Sequence, residues 1–229
     1  MYKNTHPHYG NEPKVLNLSL SILRQTLYWV FCMKLAGAVM ASGFGKRFGG
    51  DKLSIRIAGR PLLLLSLGSI EMLDYKAVVV RVGDEKARLV PYGYSVLYNR
   101  FPLRGLSASI RLAASWTPYD SDGLVVVLAD MPFTKPVVKK LIEAFAEGRY
   151  DAVSAGVNGM PATPAVFSRR ILHQLYTLEG DVGAREVLRK VNAYVVDVDP
   201  RLLTDIDRSE DLVKAERVLS ELGGLQNLY

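Results

Sequence analysis

Cysteine and histidine are scarce in this chain of 229 residues, and their scarcity excludes several kinds of chemistry. The single cysteine, Cys32, cannot form an intrachain disulfide or a cysteine zinc site, which favours a reducing, cytoplasmic location. The three histidines are His6, His8 and His173, and two of them lie in the polar first 14 residues. A catalytic triad or a histidine general base is therefore not expected.

Long apolar runs are also lacking, which argues against a membrane partner. The apolar stretch at residues 15–33 is interrupted near its middle by polar residues, among them Arg24 and Gln25, so it predicts neither a membrane helix nor a signal peptide. We expect residues 1–33 to be an N-terminal extension: a disordered segment, an amphipathic helix packed on the domain, or sequence upstream of a mis-assigned start. Residues 34–229 are expected to form one domain.

The charge balance is basic, with a formal net charge of +6 at pH 7. This charge indicates either a surface rich in lysine and arginine or an attraction for anionic substrates. A nucleic-acid partner is not expected, because no basic run is interleaved with aromatic residues and no helix-turn-helix or zinc-finger spacing occurs.

From residue 35 onward, apolar strand-like runs alternate with helical patterns. This alternation predicts one Rossmann-like α/β domain, a doubly wound three-layer sandwich with a mostly parallel sheet. The predicted strands are Leu35–Ala41, Ala77–Val82, Ser95–Tyr98, Leu124–Ala129, Ala152–Ala155, Ala165–Phe167 and Tyr194–Val198. The predicted helices are Pro61–Met72, Asp84–Val90, Ser107–Ser115 (with Ser107 as its N-cap), Lys135–Glu147, Ser168–Leu175, Val182–Lys190 and Glu210–Leu222.

Residues 41–52, which we call the glycine loop, directly follow the first predicted strand. The loop contains three glycines that let the backbone approach an anion closely: Gly43, Gly45 and Gly49. Arg47 and Lys52 add positive charge beside these backbone donors, which suits a polyphosphate. The spacing matches neither the Walker A motif nor the dinucleotide fingerprint. The alternative is a glycine-rich turn with solvated basic residues.

Two acidic segments are candidate metal ligands. Asp130 ends the fully apolar strand at residues 124–129, where a carboxylate could hold Mg²⁺ against phosphates; alternatively it caps the following helix together with Thr134. Asp207 is the expected second ligand, ahead of Asp205, although the same acidic cluster could merely start the last helix.

Together these segments resemble the molybdopterin nucleotidyltransferase family, and its molybdenum cofactor cytidylyltransferase branch is the most similar. The similar segments are Ala41–Lys52, Asn99–Ser109, Leu128–Pro132, Gly159–Phe167, Glu179–Arg185 and Asp205–Leu212. The resemblance implies the nucleotide-diphospho-sugar transferase fold and an Mg²⁺-dependent enzyme, with Mn²⁺ as an alternative metal.

The resemblance also implies roles for individual residues. Arg47, Lys52 and Asp130 would be catalytic, and Asp130 and Asp207 would bind the metal. The nucleotide would be bound by Ala41, Ser42, Gly43, Phe44, Gly45, Arg47, Gly49, Lys52, Asn99, Gly105, Leu106 and Ser107. The acceptor would be bound by Gly159, Pro161, Asp181 and Arg185.

The expected reaction is attack by a phosphate oxygen of an acceptor on the α-phosphorus of a nucleoside triphosphate, with release of pyrophosphate. The expected substrates are CTP and a molybdopterin-type cofactor, and a molybdoenzyme or its maturation chaperone is a further expected partner. The alternatives are GTP with the same cofactor, a sugar-phosphate nucleotidyltransferase, and a non-catalytic nucleotide-binding regulator or cofactor carrier.

Overall fold

A central β-sheet dominates the computed structural model, which describes residues 33–45, 48–181 and 183–227. The strands are β1 (Leu35–Met40), β2 (Arg56–Ile57), β3 (Arg60–Pro61), β4 (Tyr75–Arg81), β5 (Ser95–Asn99), β6 (Gly123–Leu128), β7 (Ala152–Val157), β8 (Met160–Ser168) and β9 (Ala193–Asp197). Among the described residues, seven strands form the main sheet in the order β5-β4-β1-β6-β8-β7-β9, and β2 and β3 form a separate hairpin.

Helices cover both faces of the sheet. They are α1 (Leu62–Gly68), α2 (Leu106–Trp116), α3 (Lys135–Phe145), α4 (Leu172–Leu175), α5 (Arg185–Leu188) and α6 (Glu210–Glu221). One hydrophobic cluster joins α1, α3 and α6 to one face, and a second cluster joins α2, α4 and α5 to the other. The predicted three-layer α/β sandwich is confirmed.

The strands at the centre of the sheet are apolar throughout because both of their faces are covered. All six residues of β1 are buried, and so are the first five of β6. A strand that faces solvent on one side would alternate polar and apolar residues. The continuous apolar runs that predicted these strands thus reflect their burial between two helical layers.

Strand β8 is the antiparallel member of the described main sheet, since it runs opposite to both β6 and β7. A tight turn joins it to β7, with positive φ angles of 52° at Asn158 and 73° at Gly159. The predicted strand Ala165–Phe167 is only the second half of β8. In the described sheet, the first half of β8 pairs with β7 and not with β6.

Several local predictions differ from the structure. The helix predicted at residues 84–90 is a 3-10 turn, Glu85–Leu89, because Val90 precedes Pro91 and adopts an extended conformation. The helix predicted at residues 182–190 is only the four-residue α5, and the β2–β3 hairpin was not predicted. The boundary at residue 33 stays a prediction, since residues 1–32 lie outside the described residues.

The strand order reverses beside β1. The chain passes from β1 to β4 and β5 on one side, and then returns to the other side of β1 as β6. At such a reversal the loops that follow the two strands separate and leave a crevice at the carboxyl edge of the sheet. The glycine loop follows β1 and Asp130 follows β6, so both belong to this crevice. Across the described residues, no helix has the length and apolar character that a membrane crossing requires.

Candidate active site

The glycine loop lines a cavity of about 720 Å³ at the carboxyl edge of the sheet. Gly45 and Gly49 have φ angles of +61° and +79°, a conformation that glycine adopts without side-chain strain. The amide of Phe48 donates a 3.0 Å hydrogen bond to the carbonyl of Gly45. Gly43, Gly45 and Gly50 line the cavity and present only backbone atoms to it, because they have no side chain.

Most of the predicted loop residues border this cavity. Ala41, Ser42, Gly43, Phe44, Gly45 and Lys52 line it. Gly49 shapes the loop but is not part of the lining. Arg47 lies outside the described residues, so its predicted role stays a prediction.

Lys52 joins the two predicted metal ligands. Its Nζ lies 2.9 Å from Asp130 Oδ2 and 2.9 Å from Asp207 Oδ1, and it donates a third hydrogen bond of 2.8 Å to the Ile206 carbonyl. The Ile206 amide in turn donates to the Asp130 carbonyl at 3.0 Å, which ties the two acidic segments together. Residues far apart in sequence thus meet at one point.

Lys52 keeps its positive charge at this point. Burial works to lower the pKa of its ammonium group, but attraction and hydrogen bonds from Asp130 and Asp207 outweigh burial and raise the pKa above its ordinary value. The side chains of Lys52 and Asp130 are 13% and 24% exposed, so solvent screens their ion pair less than it screens the pair with Asp207, which is 38% exposed. The three side chains together carry a net charge of −1.

The carboxylate pair fits a divalent cation. Asp130 Oδ1 is buried and has no hydrogen-bond partner among the described residues, which is costly for a carboxylate oxygen unless a cation satisfies it. Carboxylate oxygens suit Mg²⁺, which commonly takes one or two of them and fills its other positions with water and phosphate. No group of three or more His, Cys, Asp or Glu side chains within the described ranges is placed to hold a metal ion. The protein ligands at this site would be Asp130 and Asp207.

Neither Asp130 nor Asp207 is the N-cap of the helix that follows it. Helix α3 begins at Lys135 with Thr134 in the N-cap position, so Asp130 is not its cap. At the start of α6, Asp211 accepts hydrogen bonds from the amides of Asp207 and Arg208, whereas the Asp207 carboxylate forms an ion pair with Lys52. Asp205 is exposed.

Asn99 connects three segments of the chain beside the cavity through hydrogen bonds. It is 3% exposed, and its amide nitrogen donates to the hydroxyls of Ser42 (3.3 Å) and Ser109 (3.2 Å). Its oxygen accepts a 2.8 Å hydrogen bond from the Phe101 amide. These bonds join the glycine loop, the loop after β5 and helix α2. The predicted contact of Asn99 with the base stays a prediction; the side chain shown here positions the loops around the cavity.

The segment at residues 105–107 packs against the predicted acceptor loop. Ser107 donates its hydroxyl to the Arg104 carbonyl and its amide to the Gly180 carbonyl, so the prediction that it is the N-cap is wrong. The N-cap position belongs to Gly105, whose φ of +76° suits glycine. A Cβ at Gly105 would lie 2.4 Å from Asp181 Oδ1. Asp181, Gly105 and Leu106 all line the cavity.

Gly105→Ala is expected to destabilise the protein and displace the loop that carries Asp181. The added Cβ would lie 2.5 Å from the backbone of Gly180, and alanine at positive φ costs about 1–2 kcal/mol by itself. Gly93→Ala is the matched control, because Gly93 has a φ of +89° and open space around it. Urea unfolding should show a larger loss for Gly105→Ala; equal losses would mean that the contact with Gly180 is not tight.

Three other predicted acceptor residues lie outside the cavity lining. Gly159 is in the β7–β8 turn, where its amide donates to Asp197 Oδ1 at 3.0 Å, and Pro161 follows it in β8. Arg185 begins α5 and is exposed. Of the four predicted acceptor residues, only Asp181 lines the 720 Å³ cavity in the described structure. The roles of the other three stay predictions.

Three charged residues beside the glycine loop were not predicted: Arg81, Asp84 and Lys86. Arg81 is the last residue of β4, the strand that pairs with β1, and Asp84 and Lys86 come shortly after it in the chain. Arg81 and Lys86 line the same cavity as the glycine loop. The sequence signal that could have found Arg81 is a charged residue at the end of a buried apolar strand, which resembles the position of Asp130.

Comparison with known proteins also indicates a nucleotidyltransferase. The profile of the MobA-like NTP transferase domain matches residues 37–195, a span that includes the glycine loop and Asp130. A "Probable molybdenum cofactor guanylyltransferase" of Thermococcus gammatolerans is 30% identical over 169 residues, which is 69% of this chain and 83% of that protein. A protein of the same name from Thermococcus kodakarensis is 32% identical over 124 residues, but that match spans only 52% of this chain and 57% of the relative.

Solved structures share the fold. The crystal structure of Rv0371c from Mycobacterium tuberculosis H37Rv aligns with a TM-score of 0.71 and 19% identity, over 81% of this chain and 99% of that chain. The same protein in complex with manganese aligns with a TM-score of 0.68 and 18% identity.

Proposed function

Because the chain belongs to the MobA-like NTP transferase family, we propose that it transfers GMP from GTP to a molybdopterin-type acceptor. The chain is accordingly an enzyme of the nucleotidyltransferase class, EC 2.7.7. In the proposed reaction a phosphate oxygen of the acceptor bonds to the α-phosphorus. The bond from the α-phosphorus to the oxygen that bridges it to the β-phosphorus breaks, and pyrophosphate leaves with that oxygen.

The proposed donor is GTP rather than the CTP that the sequence motifs favoured. Both Thermococcus relatives are named guanylyltransferases of the molybdenum cofactor, which supports a guanine donor and the same class of acceptor. The expectation of CTP has no such support. CTP therefore becomes the first competitor in the experiment below.

The meeting of Lys52, Asp130 and Asp207 beside the glycine loop carries this proposal. A triphosphate in the 720 Å³ cavity would have backbone donors of the glycine loop at one end and the paired carboxylates at the other. Phosphoryl transfer depends mainly on positioning and on neutralising charge, so this arrangement meets its requirements without a nucleophilic side chain.

Asp130 and Asp207 would hold Mg²⁺, with Mn²⁺ as the alternative. When bound there, the metal would neutralise charge on the phosphate oxygens. The buried oxygen Asp130 Oδ1 supports this role, because it lacks a hydrogen-bond partner in the described structure. The manganese complex of Rv0371c concerns that protein and motivates testing both metals here.

Lys52 must exchange a partner before it can act on the substrate. An ammonium group has three donors, and those of Lys52 are directed at Asp130, Asp207 and the Ile206 carbonyl. Contact with the α-phosphate therefore requires that one of these hydrogen bonds be given up. In this arrangement, Lys52 neutralises part of the charge on the two carboxylates and keeps them together.

Pyrophosphate release from each of the four triphosphates, with Mg²⁺ and a molybdopterin-type acceptor, tests the proposal. GTP should be the best donor, and release should require both acceptor and metal. Faster release with CTP would return the assignment to the cytidylyltransferase branch. Thermal stabilisation by GTP without any pyrophosphate release would instead support the non-catalytic alternative, since binding alone raises apparent stability.

A further inference from the structure

One buried carboxylate beside the glycine loop holds two cationic side chains. The side chain of Asp84 is 3% exposed; its carboxylate lies 3.1 Å from Arg81 Nη2 and 2.8 Å from Lys86 Nζ. It also accepts a 3.1 Å hydrogen bond from the Lys86 amide, which fixes the start of the 3-10 turn Glu85–Leu89. We call Arg81, Asp84 and Lys86 the Asp84 cluster.

The Asp84 cluster is built for ionised side chains. Burial works to raise the pKa of Asp84, but hydrogen bonds from Lys86 and Arg81 outweigh it and lower the pKa below its ordinary value. Lys86 itself is 7% exposed, which is rare for a lysine and requires charged partners. A merely solvated surface lysine would not be buried in this way.

Each cation of the Asp84 cluster reaches a different end of the glycine loop. The guanidinium of Arg81 stacks on the ring of Phe44, with its carbon 4.8 Å from the ring centre. Lys86 Nζ lies 3.1 Å from Asp51 Oδ1, at the other end of the loop and one residue before Lys52. The Asp84 cluster therefore contacts the loop at Phe44 and at Asp51, from the end of β4 and from the turn that follows it.

We propose that the Asp84 cluster is a set of positioning residues that holds the two ends of the glycine loop at the separation needed to bind a triphosphate. The role in binding rests on the proposed function, whereas the mechanical role is independent of it. In this proposal Lys86 acts through its ion pair with Asp51, which ties the end of the glycine loop to the Asp84 cluster. Lys86 does not contact the substrate directly. Arg81 and Lys86 line the cavity, so the cluster lies beside the place proposed for the triphosphate.

Asp51→Asn is the sharpest test, because the Asp51 side chain is 48% exposed and its amide replacement should not prevent folding. Asp51→Asn and Lys86→Met should each speed hydrogen–deuterium exchange of residues 43–51 in the absence of nucleotide. Each should raise the KM for GTP about 10-fold or more and change kcat less, because the loop holds phosphates in both the ground and transition states.

Further variants separate a link from a direct contact. The double variant should be no worse than Lys86→Met alone, and Lys86→Arg should recover part of the KM because it keeps the charge. Lys190→Met is the control for removing a lysine from an ion pair, since Lys190 pairs with Glu186 on the surface of α5. It should leave loop exchange and KM unchanged.

Two results would overturn the proposal. In the first, Asp51→Asn leaves both exchange and KM unchanged. In the second, Lys86→Met raises KM but Asp51→Asn does not, which would mean that Lys86 contacts the triphosphate itself. If the wild-type enzyme releases no pyrophosphate from GTP, the proposed function fails, but the exchange measurement still decides whether the Asp84 cluster positions the loop.

Discussion

Asp130→Asn should lower the rate of pyrophosphate release by at least about 100-fold and leave the fold intact. The amide has the shape of the carboxylate but not its charge, so the site loses a metal ligand and half of its carboxylate pair. Lys52 would still have Asp207 and the Ile206 carbonyl as partners, which should preserve the local structure. Circular dichroism would report folding, and a coupled pyrophosphate assay would report activity.

Asp205→Asn is the matched control for this prediction. Asp205 is two residues from Asp207 and is exposed, so the same change in charge occurs beside the site without touching it. Binding of Mn²⁺, followed by electron paramagnetic resonance, should weaken in Asp130→Asn and stay near wild type in Asp205→Asn. Near-normal activity of Asp130→Asn would remove Asp130 from the proposed metal site.

Lys52→Met should have two opposite effects. The rate of pyrophosphate release should fall by about 100-fold, because a cation that can stabilise the α-phosphoryl transition state is lost. Mn²⁺ binding without nucleotide should instead become tighter by about 10-fold or more, because the ammonium group no longer competes for Asp130 and Asp207. An inactive variant that binds metal more tightly would be hard to explain as a misfolded protein.

Lys76→Met is the control for the lysine substitution. Lys76 lies at the start of β4, at the opposite edge of the sheet, and donates to the Leu73 carbonyl at 2.8 Å. Its replacement should alter neither metal affinity nor turnover. If Lys52→Met bound Mn²⁺ no more tightly than wild type, the ammonium group would not be competing with the metal for the carboxylates.

The sequence predicted the centre of the site because a simple topological rule places it. Lys52 and Asp130 follow strands that are recognisable as buried apolar runs, and the loops of such strands meet where the strand order reverses. Asp207 was predicted from its acidic neighbourhood and from family resemblance. Its contact with Lys52 depends on the path of the chain after β9, which local sequence patterns do not specify.

Other features depend on packing between distant segments and could not be read from spacing. Asn99 was expected to face the base, but the docking of α2 brings Ser109 close enough, together with Ser42, to engage its amide. Lys86 lies in the segment Asp84–Val90 that was predicted to be a helix, and it is buried among partners that include Asp84 and, from the glycine loop, Asp51. Short polar segments are governed by such tertiary contacts more than by propensity.

The hydrogen bonds of Lys52 join positions that are very far apart along the chain, and this has a consequence for biosynthesis. Its partners Asp130 and Asp207 follow it by 78 and 155 residues. A nascent chain therefore cannot assemble the carboxylate pair until Asp207 has left the ribosome, even if the first parallel strands have already folded. Closing such long loops is slow, so the ability to bind metal would be among the last properties to emerge during synthesis.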